Sequence, residues 1–179
     1  MNITAITQSM RLPFLILTFV CVFLGSCIAK LNQQDINPLF LVFALVGALF
    51  AHISVNTLNE YFDFKSGLDL ITKKTPFSGG SGALPRHPEA THAVFIIGIV
   101  SLALTVLIGC FFLWQYGIRF LPICITGLVL IVAYTQWINR WPLTCLIAPG
   151  LGFGILMVVG TQFVLEGEYL PRTFFIAVI

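Results

Sequence analysis

An all-α, polytopic transmembrane helical bundle is the fold class this sequence predicts, and three observations predict it. Hydrophobic residues make up 58% of the chain and charged residues 9%, against roughly 25% charged in an average soluble domain. The apolar residues fall in long runs, each close to the ~20 residues a helix needs to cross a bilayer. Tryptophan and tyrosine collect at the ends of those runs (Trp114, Tyr116, Trp137, Trp141), where amphipathic rings favour the headgroup level. A soluble fold of this composition would have almost no polar residues left for its surface.

In order, Met1 to Met10 reads as a short polar lead closed by Arg11. The first expected span covers residues 12–29. A secretory signal is the competing reading, because Leu24-Gly25-Ser26-Cys27 has the look of a lipoprotein cleavage box. More membrane helix follows, however, and no soluble mature protein, which argues against it. A turn with Lys30, Asn32 and Asp35 leads into span two, residues 38–62, which carries His52 and Asn56. A lone histidine in such a helix reads as a packed, hydrogen-bonded residue. The polar loop 65–92 follows, with Lys65, Lys73, Lys74 and Arg86 around Gly79-Gly80-Ser81-Gly82. Basic side chains and a glycine-rich backbone can cradle phosphate. No Walker pattern is present, so this is not a nucleotide loop.

Spans three and four are expected at 93–114 and 120–134, and span five at 143–165. The last contains Pro149, Gly150, Gly152, Gly154 and Gly160, residues that permit close helix approach or a local break lining a cavity. Thr173 to Ile179 opens a sixth apolar run of seven residues, too short to cross, so the sequence is expected to be the N-terminal part of a longer domain.

The five cysteines lie within or beside apolar runs and show no C-x-x-C spacing. They read as small packing residues. A net charge of +2 without a basic tract gives no argument for nucleic acid. Alternating the loops puts Arg11, Lys65, Lys73, Lys74, Arg86 and Arg140 on one side and Lys30, Arg119 and Arg172 on the other. The excess places the N-terminus and loop 65–92 in the cytoplasm, and a bacterial inner membrane is the expected location.

The chemistry-bearing stretch is Asn56-Thr57-Leu58-Asn59-Glu60-Tyr61-Phe62-Asp63-Phe64-Lys65-Ser66-Gly67-Leu68-Asp69, which holds three of the seven acidic residues. At about 100° per residue, Asn56, Asn59, Glu60 and Asp63 share one helix face. Gly67 is a natural helix stop, and Asp69 follows it. Acids at mid-membrane would cost roughly 2.5–3.5 kcal/mol each, so the cluster belongs at the interface or in a wet cavity. Carboxylate and amide oxygens without cysteine or close histidine favour a hard cation such as Mg²⁺, which commonly also binds substrate phosphates. The plainer reading is a solvated helix end. It does not explain why two asparagines share the acids' face.

This stretch resembles the first aspartate-rich motif of the UbiA superfamily of intramembrane prenyltransferases, and it is most similar to the branch that prenylates 1,4-dihydroxy-2-naphthoate for menaquinone. Arg11-Leu12-Pro13 and Ala133-Tyr134-Thr135 fit the same family. The resemblance implies a bundle of about nine helices, of which this sequence supplies about five spans and the start of a sixth. It also implies a second aspartate-rich motif, which these residues lack, so the chain alone is expected to be inactive. It implies Mg²⁺ on Asn59, Asp63 and Asp69 as the catalytic set. Asn56, Lys65, Lys73, Lys74, Arg140 and Tyr134 would serve the diphosphate. The substrates implied are a polyprenyl diphosphate and an aromatic acceptor, both drawn from the bilayer. Two other classes stay open at this point: a secondary transporter, whose acids would sit near mid-membrane, and a non-catalytic membrane subunit.

Overall fold

The computed structural model describes residues 2–31, 35–71, 80–136 and 141–178. All the regular structure among them is helical. The supposed polar lead is itself a helix, α1 (Ile3–Met10), capped by the Asn2 side chain, which accepts from the Ala5 N–H. Ala5, Ile6 and Ser9 are buried on it. The sequence reading missed this helix because eight residues cannot show a periodic pattern above a polar background. Arg11 then turns the chain in the left-handed region (φ 54, ψ 52), and a 3₁₀ turn over Leu12–Leu15 feeds α2 (Ile16–Leu31).

Asn37 caps α3 (Pro38–Lys65), accepting from the Leu39 N–H at 3.0 Å, and Pro38 occupies the first helical position, where its missing N–H costs nothing. Twenty-eight residues give a helix about 42 Å long, against an apolar bilayer core of about 30 Å. The helix is longer than the hydrocarbon is thick, and its last turns carry Asn59 and Asp63. The helix stops at Ser66, and Gly67 takes φ 78 just beyond it, as its lack of a Cβ permits. Within the expected polar loop the chain forms two short helices, α4 (Leu68–Ile71) and α5 (Ala83–Arg86).

The long helix α6 (Thr91–Tyr116) runs antiparallel to α3 and makes the main helix pair of the fold. Tyr61 meets Phe95, the Ser54 hydroxyl donates to the Gly98 carbonyl at 3.0 Å, Gly47 meets Ile108, and Phe43 meets Phe111. At Gly117 (φ 62) the chain reverses through a 3₁₀ turn into α7 (Leu121–Gln136). The Cys124 thiol consequently lies 3.9 Å from the Gly109 carbonyl. A straight helix would separate those residues by about 22 Å. Among the described residues four stretches are long and apolar enough to cross a membrane: Ile3–Leu31, Pro38–Lys65, Pro88–Tyr134 and Leu143–Glu166. The third of them is this hairpin.

The break expected around Pro149 takes a specific form. Helix α8 (Pro142–Pro149) passes into a π-helical segment, Gly150–Val159, and then into α9 (Gly160–Glu166). Proline has no N–H to give its helical acceptor, and the wider i→i+5 pattern follows from that point. Gly25 of α2 packs into this segment so tightly that a Cβ there would lie 2.6 Å from the Val158 carbonyl oxygen. Such small-residue contacts are how helices associate where lipid is as apolar as the side chains. Helix α10 (Pro171–Val178) closes the described chain. Large apolar side chains stand exposed around the bundle, among them Phe23 at 69% and Leu107 at 64%. Lipid is the solvent that tolerates them, and the protein is an integral membrane helical bundle. The cysteines are free.

Candidate functional site

A cavity of about 600 Å³ runs between α2, α3, α6, α7 and the π-helical segment. Its walls are mostly Leu, Ile, Val, Phe, Ala and Gly, with a few polar groups. Arg11, Asn56 and Tyr134 stand on its lining, and His52 lies one turn of α3 deeper. Pro149, Gly152 and Phe153 form part of the opposite wall, so the irregular segment does line the cavity.

Beyond Asn56 along α3 come the motif residues. Asn59 Nδ2 donates to Asp63 Oδ2 at 2.8 Å, which confirms the shared face. Asp63 and Arg11 both lie within electrostatic reach of the Tyr134 hydroxyl, so the motif end of α3, the turn after α1 and the end of α7 converge. Tyr134 Oη is 3.9 Å from Cys145 Sγ. Asp69 follows the Gly67 turn on α4 and is 5% exposed. Its carboxylate packs against Gly80, where a Cβ would fall 2.6 Å from Oδ1.

Not every expected residue reaches this place. Asn56 gives an N–H to the Met10 carbonyl at 3.0 Å. It thereby fixes the turn that presents Arg11, besides lining the cavity. Lys65 is exposed, and its ammonium sits 5.9 Å above the Tyr61 ring, which itself packs on Phe95 of α6. The α6-facing side of α3 is therefore its location. Lys73, Lys74 and Arg140 lie outside the described residues.

Glu60 departs most clearly from the sequence reading. It was expected on the oxygen-donor face, yet it is 1% exposed. Its carboxylate accepts from the Ser81 N–H, the Ser81 hydroxyl and the Ala83 N–H. Those amides belong to the glycine-rich loop that was expected to cradle phosphate. The loop does bind a carboxylate, but the carboxylate is the protein's own.

Arg11 is the residue sequence reasoning undervalued. Arg11 is the one non-glycine residue with positive φ among those described. Its Nε is buried without a hydrogen-bond partner. No carboxylate lies within ion-pair distance of it among the described residues. Strained backbone and a buried guanidinium nitrogen without a hydrogen-bond partner, on a cavity wall, make Arg11 a candidate functional residue. The hint in the sequence was its place in Arg11-Leu12-Pro13.

His52 does behave as a packed histidine. Its Nδ1 is 2.8 Å from the Thr18 hydroxyl, and its ring meets Phe153 at 4.7 Å.

As for metal-binding capacity, no three of His, Cys, Asp and Glu gather into a metal group among the described residues. Asn59, Asp63 and Asp69 are nonetheless hard oxygen donors at an interfacial helix end, the donor chemistry that suits a divalent cation of the Mg²⁺ type.

Residues 18–179 match the sequence profile of the UbiA prenyltransferase family. The chain is also 32% identical, over 94 residues, to a 1,4-dihydroxy-2-naphthoate octaprenyltransferase of Bacillus subtilis (strain 168). That match takes in 52% of this chain and 29% of the relative, so the chain spans well under two thirds of the relative's length. No solved structure matches it significantly.

Proposed function

Because the chain belongs to the UbiA prenyltransferase family, we propose that the whole protein transfers a polyprenyl group from its diphosphate to an aromatic acceptor within the membrane. An acceptor of the dihydroxynaphthoate class, and hence a step in quinone biosynthesis, fits the Bacillus relative. One observation carries the reading: an apolar cavity of about 600 Å³ with Arg11, Asn56 and Tyr134 on its lining, and Asn59, bonded to Asp63, one turn of α3 beyond Asn56. An isoprenoid diphosphate has the same polarity profile, a charged head on an apolar tail.

Asn59, Asp63 and Asp69 would hold Mg²⁺, which when bound offsets diphosphate charge. The Asn59 amide orients the Asp63 carboxylate by its 2.8 Å bond. Arg11, with no carboxylate within ion-pair distance among the described residues, attracts the diphosphate and favours its departure as negative charge builds on the leaving oxygen. The Leu, Ile and Phe walls accept the isoprenoid chain and keep water from the allylic carbon while its C–O bond breaks. A ring carbon of the acceptor then forms the new C–C bond and the ring loses a proton. The transporter alternative is disfavoured by the place of Asp63, near the end of α3 and about 38 Å along it from Pro38, rather than at its middle. The direct test is transfer by the full-length protein in membrane vesicles supplied with a polyprenyl diphosphate and 1,4-dihydroxy-2-naphthoate. Product should form with Mg²⁺ and vanish with EDTA; transfer that persists in EDTA overturns the metal assignment, and absence of transfer overturns the activity.

The diphosphate end is proposed to face the cytoplasm, on the excess of basic residues on that side. Single cysteines at Glu89 and at Asp35, in a background lacking the native five, should label from opposite faces of sealed vesicles. Glu89→Cys should react only from inside. Labelling of both from one face would refute this topology.

A further inference from the structure

Glu60 remains outside the mechanism above, although it is among the most deeply buried polar side chains of the fold, at 1% exposure. Its Oε2 accepts from the Ser81 N–H at 2.9 Å, and its Oε1 accepts from the Ser81 hydroxyl at 2.7 Å and the Ala83 N–H at 3.0 Å. The bonded segment is held from its other end by Ala83 and Leu84, both fully buried in a cluster with Ala5, Ile6 and Val94. It is also the segment that backs Asp69. Gly80 (φ 74) presses on the Asp69 carboxylate so closely that no side chain fits between them. Asp69 itself rides on a helix of four residues, too short to hold a fixed direction unaided.

We propose that Glu60 is a positioning residue for Asp69: its buried carboxylate docks the Gly80–Ala83 segment, and that segment sets where the Asp69 carboxylate points. The proposal rests on the assignment of Asp69 to the diphosphate end. Three donors converge on two oxygens, so replacing Glu60 with glutamine turns an acceptor into an NH₂ group facing N–H donors. At least one bond is lost and a donor faces a donor. Groups that orient a metal ligand typically change metal affinity 10–100-fold when removed. A mere loop staple would instead lower stability and affect both substrates alike.

The experiment uses the full-length protein in membranes or detergent, as wild type, Glu60→Gln and Ser81→Ala. Hydrogen exchange reports the Ser81 and Ala83 amides. Steady-state kinetics give the Mg²⁺ half-saturation and the KM of each substrate. In Glu60→Gln, exchange at those two amides should accelerate, and Mg²⁺ half-saturation and the diphosphate KM should rise on the order of tenfold. The acceptor KM should stay put. Ser81→Ala, which keeps the carboxylate and both amides, should move the same quantities by less, and it decides the matter if Glu60→Gln does not fold. Unchanged amide exchange would overturn the proposal. So would accelerated exchange with unchanged Mg²⁺ and diphosphate dependence, or an equal rise in both substrates' KM. A wild-type protein without Mg²⁺-dependent transfer would remove the parent reading and this one with it, whatever the amides do.

Discussion

Asp63→Asn and Asp69→Asn should each lower prenyl transfer by at least about a hundredfold, the scale at which electrostatic stabilisers of a leaving group act. Both substitutions keep the size and shape of the side chain. At position 63 the amide oxygen can still accept from Asn59 Nδ2, which lies 2.8 Å away, so the last turns of α3 need not rearrange. At position 69 the asparagine still fits beneath Gly80, since the contact there is one of shape. The charge and one acceptor oxygen are lost, and a neutral amide binds a hard divalent cation and its diphosphate far less well. Initial rates in vesicles, normalised to inserted protein, measure the effect. Near-normal turnover by either variant removes that residue from the cation site.

Replacing Arg11 should separate activity from stability in opposite directions. Removing one partner of a desolvated charge pair generally costs 2–5 kcal/mol, so Arg11→Gly should reduce kcat/KM for the prenyl diphosphate by about thirtyfold or more. The same change should leave the thermal midpoint unaltered or raise it. A non-glycine residue in the left-handed region costs roughly 1–2 kcal/mol, and glycine relieves this at φ 54. It also removes a guanidinium whose Nε has no protein partner. Arg11→Lys should recover only part of the rate, because an ammonium cannot reproduce a bidentate fork. A variant that loses stability together with activity would mean that Arg11 holds the fold and not the substrate.

Composition and periodicity alone determined that the chain is a helical membrane bundle. Where a helix must bury all its backbone polar groups in lipid, no other reading of such apolar runs survives. The same logic singled out Asn59, Asp63 and Asp69 as candidates, because acids are rare in so apolar a chain and too costly to leave in the hydrocarbon. Gly67 could be read as the helix stop for a local reason, its freedom at positive φ. Tertiary structure decided what local pattern could not carry. Glu60 shares the helical phase of Asn56 and Asp63, and only the return of Ser81 and Ala83 to the end of α3 turns it from a ligand candidate into a docking group. Arg11 looked like one more basic flank until the Asn56 side chain clamped the Met10 carbonyl and turned it toward the cavity wall. Two amides of the loop expected to cradle phosphate, those of Ser81 and Ala83, turn out to serve Glu60. In each case the sequence names the donors and acceptors, but which of them meet is set by packing between segments far apart in the chain, where the cost of leaving a buried polar group unpaired selects the partner.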